Sequence, residues 1–234
     1  MEAVILAGGQ GTRLLPYTSD LPKALVPVCG RPVIEFLLHR LKVAGVTKVH
    51  LAVNHLADKM KAALGDGSRF GLSILYSEEP EPLSTVGPLT LIPSLPETFL
   101  VANGDILTDL DIAALFQCHL RSACKLTVAT YRRTDRIDYG VLQTGPDNRV
   151  TTFSEKPDYH FLVSMGIYVF SRSALDFVPP KTRFGFDDLM FTLLENGEPI
   201  NTMRHEGFWL DIGRAEDYLR ANNQDAAAIL RLLG

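Results

Sequence analysis

Residues 6–25, LAGGQGTRLLPYTSDLPKAL, combine glycines and fixed cations at a spacing suited to phosphate chemistry. Gly8, Gly9 and Gly11 follow a short apolar run, and glycines there leave backbone N–H groups open to a phosphate. Arg13 and Lys23 add two cations within reach of the same loop. A triphosphate needs this set: donors close to its oxygens, and positive charge where negative charge develops during transfer. No GK[ST] follows the glycines, so the loop is not a P-loop, and GGxG lacks the spacing of the GxGxxG dinucleotide fingerprint. A glycine-rich turn with solvated basic residues is the bland alternative. It leaves the joint spacing of Arg13, Pro16, Thr18, Pro22 and Lys23 without a reason.

Carboxylates recur further on. Asp105, in NGD at 103–105, follows the apolar run FLVA and so falls at a strand's carboxyl end, the ligand edge of an α/β sheet. A carboxylate there can hold Mg²⁺ against phosphate oxygens. Asp211, in FWLDIGRAEDY at 208–218, falls in a second strand-to-helix turn. Two carboxylates from separate strand ends could clamp one metal; taken singly, each is equally an Asp that caps a turn or opens a helix. EKP at 155–157 sets Glu155 beside Lys156, and a lysine is a point-charge phosphate holder. Its bland reading is a surface turn before proline.

The elements that must carry these residues follow from periodicity. AVILA at 3–7 reads as a buried parallel strand. VIEFLLHRLKV at 33–43 carries a helical apolar stripe after Pro32, and VTKVHLAV then reads as a second strand. A helix near 55–64, a strand near 72–76, a polar stretch with a short helix, and FLVA complete an alternating first half. The second half changes character: 125–131, 139–143, 149–153 and 163–170 are strand-like and separated by turns, with helical patterns near 186–195 and 214–230. Alternating strands and helices predict an α/β fold with a doubly wound, mixed but mainly parallel central sheet.

The loop resembles the GGxGTRL…PK signature of sugar-1-phosphate nucleotidylyltransferases, the NDP-sugar pyrophosphorylases, and further motifs recur in the order that family has them. The resemblance implies a Rossmann-like nucleotidyltransferase fold of the glycosyltransferase A-like type. One domain over 1–234 is expected, with a nucleotide half to about 110 and a sugar-phosphate half beyond; many relatives carry a C-terminal β-helix, and without hexapeptide repeats none is expected here. It implies Arg13 and Lys23 as catalytic cations and a nucleotide site of Leu6, Ala7, Gly8, Gly9, Gly11, Thr12, Arg13, Lys23, Glu81, Thr85 and Gly104. Asp105 and Asp211 would bind Mg²⁺. Glu155 would meet sugar hydroxyls, Lys156 the sugar phosphate, and Tyr139-Gly140 would lie against the sugar. SMGIYVF at 164–170 resembles the family's NAGIYVF, with Ser164 for Asn and Met165 for Ala. Because that Asn contacts sugar in the family, Ser164 joins the sugar set and puts the sugar's identity in question.

EPEPLSTVGPL at 79–89 resembles EPLGTAGPL, which faces the base, with Ser84 for Gly and Val86 for Ala. Glu79 and Glu81 are carboxylates able to accept from guanine N1–H and its exocyclic amine; solvated loop carboxylates are the more common reading of such a pair. The segment looks most like GDP-mannose and GDP-heptose enzymes, so GTP is the favoured nucleotide, with uridylyl or thymidylyl transfer as the alternative. The implied reaction is an in-line attack of sugar 1-phosphate on the α-phosphorus of the NTP. A nucleotide-sugar-binding regulator without chemistry is the rival from another class; intact Arg13, Lys23, Asp105 and Asp211 speak against it. A glycosyltransferase needs DxD, whereas Asp105 and Asp109 stand four apart.

Gross composition narrows the partners. The 234 residues carry 23 Lys plus Arg against 27 Asp plus Glu, a formal charge of −4, which lacks the basic footprint of a nucleic-acid binder. No apolar run reaches the roughly 18 residues of a membrane span, and MEAVILAGG lacks a signal peptide's basic start. The three cysteines (Cys29, Cys118, Cys124) show no metal-ligand spacing and read as reduced, mostly buried thiols of a cytoplasmic protein. The apolar stretch 226–234 is expected to pack either on its own core or on a second copy in a homo-oligomer.

Overall fold

The computed structural model describes residues 1–233. Strand β1 (Glu2–Leu6) is the apolar run before the glycines, and Ala3, Val4 and Ile5 are wholly buried. A two-residue hairpin, β2 (Pro27–Val28) and β3 (Arg31–Pro32), leads into helix α1 (Val33–Val43). Next come β4 (Lys48–Val53), α2 (Ala57–Leu64), β5 (Ser73–Glu78), β6 (Thr98–Asn103) and the short β7 (Ile106–Thr108). Then α3 (Ile112–Ser122), β8 (Leu126–Arg136), β9 (Gly140–Thr144), β10 (Val150–Glu155) and β11 (Asp158–Ser171) follow. The chain continues through α4 (Phe186–Glu195), β12 (Ile200–His205), β13 (Trp209–Asp211), α5 (Ala215–Asn223) and α6 (Ala226–Leu230).

Seven strands form one sheet in the order β12-β8-β11-β6-β1-β4-β5. Only β11 runs antiparallel to its neighbours β6 and β8; the other pairs are parallel. The sheet is therefore mixed and mainly parallel, as the alternation of elements predicts. From β1 the chain winds outward one way to β4 and β5, and returns to the other side at β6. That reversal opens a crevice beyond the carboxyl ends of β1 and β6, where open α/β sheets place ligands.

The sheet is covered on both faces, which is why its central strands read as near-continuous apolar runs. Ala3, Ile5, Leu51 and Leu100 pack toward α1, α2 and α3, while Val4, Phe99, Val101 and Phe170 pack toward α4 and the 86–92 turn. A third cluster joins Leu14 of the glycine-loop segment to Phe36, Leu107, Leu210, Ile212, Ile229 and Leu232. The apolar stretch after 226 thus packs back on the chain's own core.

Four features depart from the sequence reading. Helix 214–230 is two helices, because the chain breaks at Gln224-Asp225, where Gln224 N and Asp225 N both turn back to Arg220 O. Helix α3 and the half-polar edge strand β12 carried no expectation, although Asp111 caps α3 through Ala114 N at 2.8 Å. The three cysteines are free, as expected, but half-buried rather than buried. Among the described residues, no helix is long and apolar enough to cross a membrane.

His119, 3% exposed on α3, pins that helix to the sheet, its ring nitrogens 2.9 Å from Thr127 Oγ1 and 3.0 Å from Ser171 Oγ. Burial pushes its pKa below the ordinary histidine value. The unfolded state then binds more protons, so stability present above the unfolded pKa is lost as pH falls below about 6.5. Urea titration across pH 5–8 should show this loss, and His119→Gln should flatten it; an unchanged slope in the variant would show that His119 is not its source.

Candidate active site

Leu6 ends β1 opposite Asn103, which ends β6. Beyond these two strand ends the chain turns twice, into the glycine loop and into Gly104-Asp105, and Gly104 N donates to Leu6 O at 3.0 Å. A cavity of about 350 Å³ opens there. Of the sequence-predicted residues, Leu6, Ala7, Gly8, Gly9, Arg13, Lys23, Thr85, Gly104 and Asp105 line it. Gln10, Ala24, Glu79, Pro82, Ser84, Pro88 and Asn103 complete the wall.

Two glycines bear directly on the loop's geometry. A Cβ on Gly8 would lie 2.6 Å from Glu79 Oε1, so any side chain there would have to push that carboxylate aside. Gly11 sits at φ +64°, and a Cβ there would crowd Thr18 and the Lys23 stem. Thr18 Oγ1 donates to Gly11 O at 2.8 Å and closes the loop onto the segment that delivers Lys23. Leu14, wholly buried, anchors a 3₁₀ turn on which Arg13 stays exposed. Gly11 and Thr12 shape this turn from outside the cavity lining.

The charged centre lies where three chain segments converge. The Lys23 ammonium contacts Asp105 Oδ2 and stands 3.9 Å from Asp211 Oδ1. Asp105 is 8% exposed. Asp211 is uneven: its side chain as a whole is 46% exposed, yet Oδ1 is buried with no hydrogen-bond partner. Burial first, and then the charge of Asp105, push the Asp211 carboxyl up to about 6, against the opposing pull of Lys23 and Arg13. One ammonium serves two carboxylates, so the site has room in its charge balance for a second cation. Among the described residues no three His, Cys, Asp or Glu side chains gather as metal ligands. Two carboxylates, one with a buried bare oxygen, fit the habit of Mg²⁺, which takes one or two carboxylates and completes its shell with phosphates and water.

Also in the cavity wall, Glu79 is 9% exposed and its Oε2 accepts from Leu83 N at 2.9 Å. Burial pushes its pKa up. Glu81, two residues on, is exposed and outside the lining, because the chain leaves β5 with Glu79 turned inward. Sequence reasoning offered both glutamates but placed Glu81 in the nucleotide set; the signal separating them is the path of the 79–83 turn. That loop is tied to the second half of the chain: Thr85 Oγ1 accepts from Phe186 N at 2.8 Å, and Val86 N and Gly87 N both donate to Phe184 O at 3.0 and 2.9 Å.

The sugar-set residues stand apart from this cavity. Gly140 pairs with Glu155 across the β9–β10 hairpin, and Tyr139, Glu155 and Lys156 are exposed there. Ser164 lies on β11; its Oγ donates to Tyr168 Oη at 3.1 Å and accepts from Gly166 N at 3.2 Å.

Comparison with known proteins places this geometry. The model of the Nucleotidyl transferase family matches residues 2–228. The UTP--glucose-1-phosphate uridylyltransferase of Synechocystis sp. is 33% identical over 94% of the chain, which covers 62% of that relative. The mannose-1-phosphate guanylyltransferase of Mycobacterium tuberculosis is 33% identical over 95% of the chain, which covers 64% of it. The chain thus spans less than two thirds of either curated relative. HddC from Yersinia pseudotuberculosis superposes with a TM-score of 0.75 at 27% identity, over 95% of this chain and 98% of that one. HddC complexed with GMP-PN gives 0.74 at 26% identity, with the same coverage of both chains.

Ser84 stands where the resembling motif has glycine, and it adopts φ +70° in the cavity wall. A left-handed conformation costs a non-glycine residue about 1–2 kcal/mol. Ser84→Gly should therefore raise the urea midpoint, a gain of about 0.5–1 kcal/mol after glycine's own entropy cost. A lower midpoint would contradict strain at this position.

Proposed function

The chain belongs to the nucleotidyl transferase family, and on that premise we propose that it joins a sugar 1-phosphate to a nucleoside triphosphate, forming an NDP-sugar and pyrophosphate. The observation that carries the reading is the Lys23 ammonium, in the wall of the glycine-loop cavity, paired with Asp105 and close to Asp211. In this reading a phosphate oxygen of the sugar 1-phosphate attacks the α-phosphorus in line. The new P–O bond forms as the bond to the β-phosphate oxygen breaks, and pyrophosphate leaves with the electron pair. A sugar phosphate is already an anionic nucleophile at neutral pH, so no general base is needed. Catalysis is positioning and charge neutralisation.

Glycine-loop backbone groups hold the triphosphate, and Arg13 meets the leaving pyrophosphate. Lys23 leaves its carboxylate partners and bridges the α-phosphate and the attacking phosphate, bringing together two anions that repel. Lys156 holds the sugar phosphate, with Glu155, Gly140, Tyr139 and Ser164 around the sugar. Asp105 and Asp211 would hold Mg²⁺, which, when bound, neutralises phosphate charge as a Lewis acid. The hairpin that carries Lys156 is outside the cavity, so this role requires it to approach a bound substrate.

Guanylyl transfer to a mannose- or heptose-type sugar phosphate is the preferred assignment. Its support is Glu79, a carboxylate in the cavity wall with acceptor capacity beyond the Leu83 N–H. Guanine presents N1–H and its exocyclic amine to such a group; uracil and thymine present one N–H. The Synechocystis uridylyltransferase relative favours the alternative of uridylyl transfer.

Pyrophosphate release with Mg²⁺, measured for five NTPs against a panel of sugar 1-phosphates, tests the reading. One pairing should stand out, and Asp105→Asn should slow it by at least about 100-fold. Glu79→Gln should lower kcat/KM for GTP about 10-fold relative to UTP, the loss of one charge-assisted hydrogen bond. No release with any pair, together with tight NDP-sugar binding, would overturn the reading in favour of a non-catalytic binder.

A further inference from the structure

Asp211 reaches the charged centre on a poor support. Strand β13 has three residues, and its partner β7 also has three. A ladder this short does not hold its own register, and in a strand a slip by one residue turns every side chain to the opposite face. Such a slip would take Asp211 away from Asp105. Whatever fixes β13 therefore fixes the spacing of the two carboxylates.

Besides the burial of Leu107, Leu210 and Ile212, a set of hydrogen bonds holds it. Asp109 Oδ1 accepts from Phe208 N at 2.7 Å and lies 2.8 Å from His205 Nε2. A carboxylate only accepts, so the histidine's hydrogen is on Nε2. Phe208 O in turn accepts from Asp109 N at 3.2 Å and from Thr108 Oγ1 at 2.8 Å. These bonds tie the end of β7 to the residue just before β13. The anchor itself is held from below, because the Arg40 guanidinium donates to Asp109 O and Leu110 O, both at 3.1 Å. At the other end of β13, Ile212 N donates to Asp105 O at 3.1 Å. Asp211, opposite Ile106, is thus bracketed on both sides. Asp109 itself neither lines the cavity nor pairs with Lys23.

We propose that Asp109, braced by His205, is a positioning residue that holds Asp211 in register beside Asp105 and so sets the divalent-cation affinity of the site. The inference rests on the reading of Asp105 and Asp211 as the metal-holding pair. It makes Asp109, four residues after Asp105, a partner of the site that has no contact with substrate.

The test is Mn²⁺ titration followed by its EPR signal, on wild type, Asp109→Asn and Asp109→Ala, with amide hydrogen exchange at Leu210 and Asp211 read in parallel. Asp109→Ala should weaken Mn²⁺ binding about 10-fold or more, the usual scale for losing a group that orients a ligand, and should speed exchange at both amides. Asp109→Asn keeps an acceptor oxygen and should hold wild-type affinity. Should Asp109→Ala fail to fold, His205→Gln removes only the brace and should give a smaller shift in the same direction. A lower Tm with unchanged Mn²⁺ affinity in the folded variants would overturn the proposal and leave Asp109 a purely structural residue. Asp105→Asn and Asp211→Asn serve as controls. Mn²⁺ binding that neither control weakens would overturn the metal-pair reading itself, and the proposal with it.

Discussion

Two carboxylates with one ammonium between them are the constraint around which this protein is arranged. Asp105 and Asp211 carry like charge into a partly buried place, where burial and mutual repulsion raise the Asp211 carboxyl to about 6. Lys23 answers part of that charge, and one Asp211 oxygen stays buried and bare. An arrangement of this kind is costly as scaffolding, since unpaired buried polar groups destabilise a fold. It is suited to receiving further positive charge and the anions that accompany it. A nucleotide's phosphates and a divalent ion supply both at once, which links the electrostatics of the centre to the family to which the chain belongs.

The fold explains how three distant segments can meet there. The sheet reverses its winding between β1 and β6, so the loops after both strands open on one crevice. The glycine loop issues from β1 and Asp105 from β6, while Asp211 comes back from the far end of the chain on the three-residue β13. The third apolar cluster secures the arrangement, since Leu14, Leu107, Leu210 and Ile212 flank the charged residues in sequence and bury together. Burial of these neighbours holds the backbone while the polar side chains stay available at the crevice. Rigid support beneath and an open wall above is also the division seen at Glu79, which is held by Leu83 N and faces the Gly8 backbone.

Much of this was legible in the sequence because burial imposes period and spacing. AVILA marked β1 to within a residue, and the apolar stripe of 33–43 gave α1 its observed limits. The glycine loop was legible because Gly8 passes close to Glu79 without displacing it and glycine rests easily at the φ of Gly11. What stayed hidden depended on contacts distant in sequence. Nothing local distinguishes Glu79 from Glu81, since the choice is made by the turn that follows β5. The break between α5 and α6 is a matter of backbone bonds to Arg220, and β12 is half-polar because it closes an edge of the sheet. In the sequence Asp109 bears only on the DxD comparison with Asp105; its partners lie in a segment nearly a hundred residues away.

The Lys23–Asp105–Asp211 cluster is proposed to receive a nucleotide's phosphates together with a divalent ion. The most direct measurement is anomalous diffraction from crystals grown with Mn²⁺ and a non-hydrolysable nucleoside triphosphate. The expected result is an anomalous peak beside the Asp105 and Asp211 carboxylates, with the Lys23 ammonium moved from Asp105 onto a phosphate oxygen. A nucleotide bound in the cavity with Lys23 still on Asp105 and no peak beside the two carboxylates would contradict the proposal.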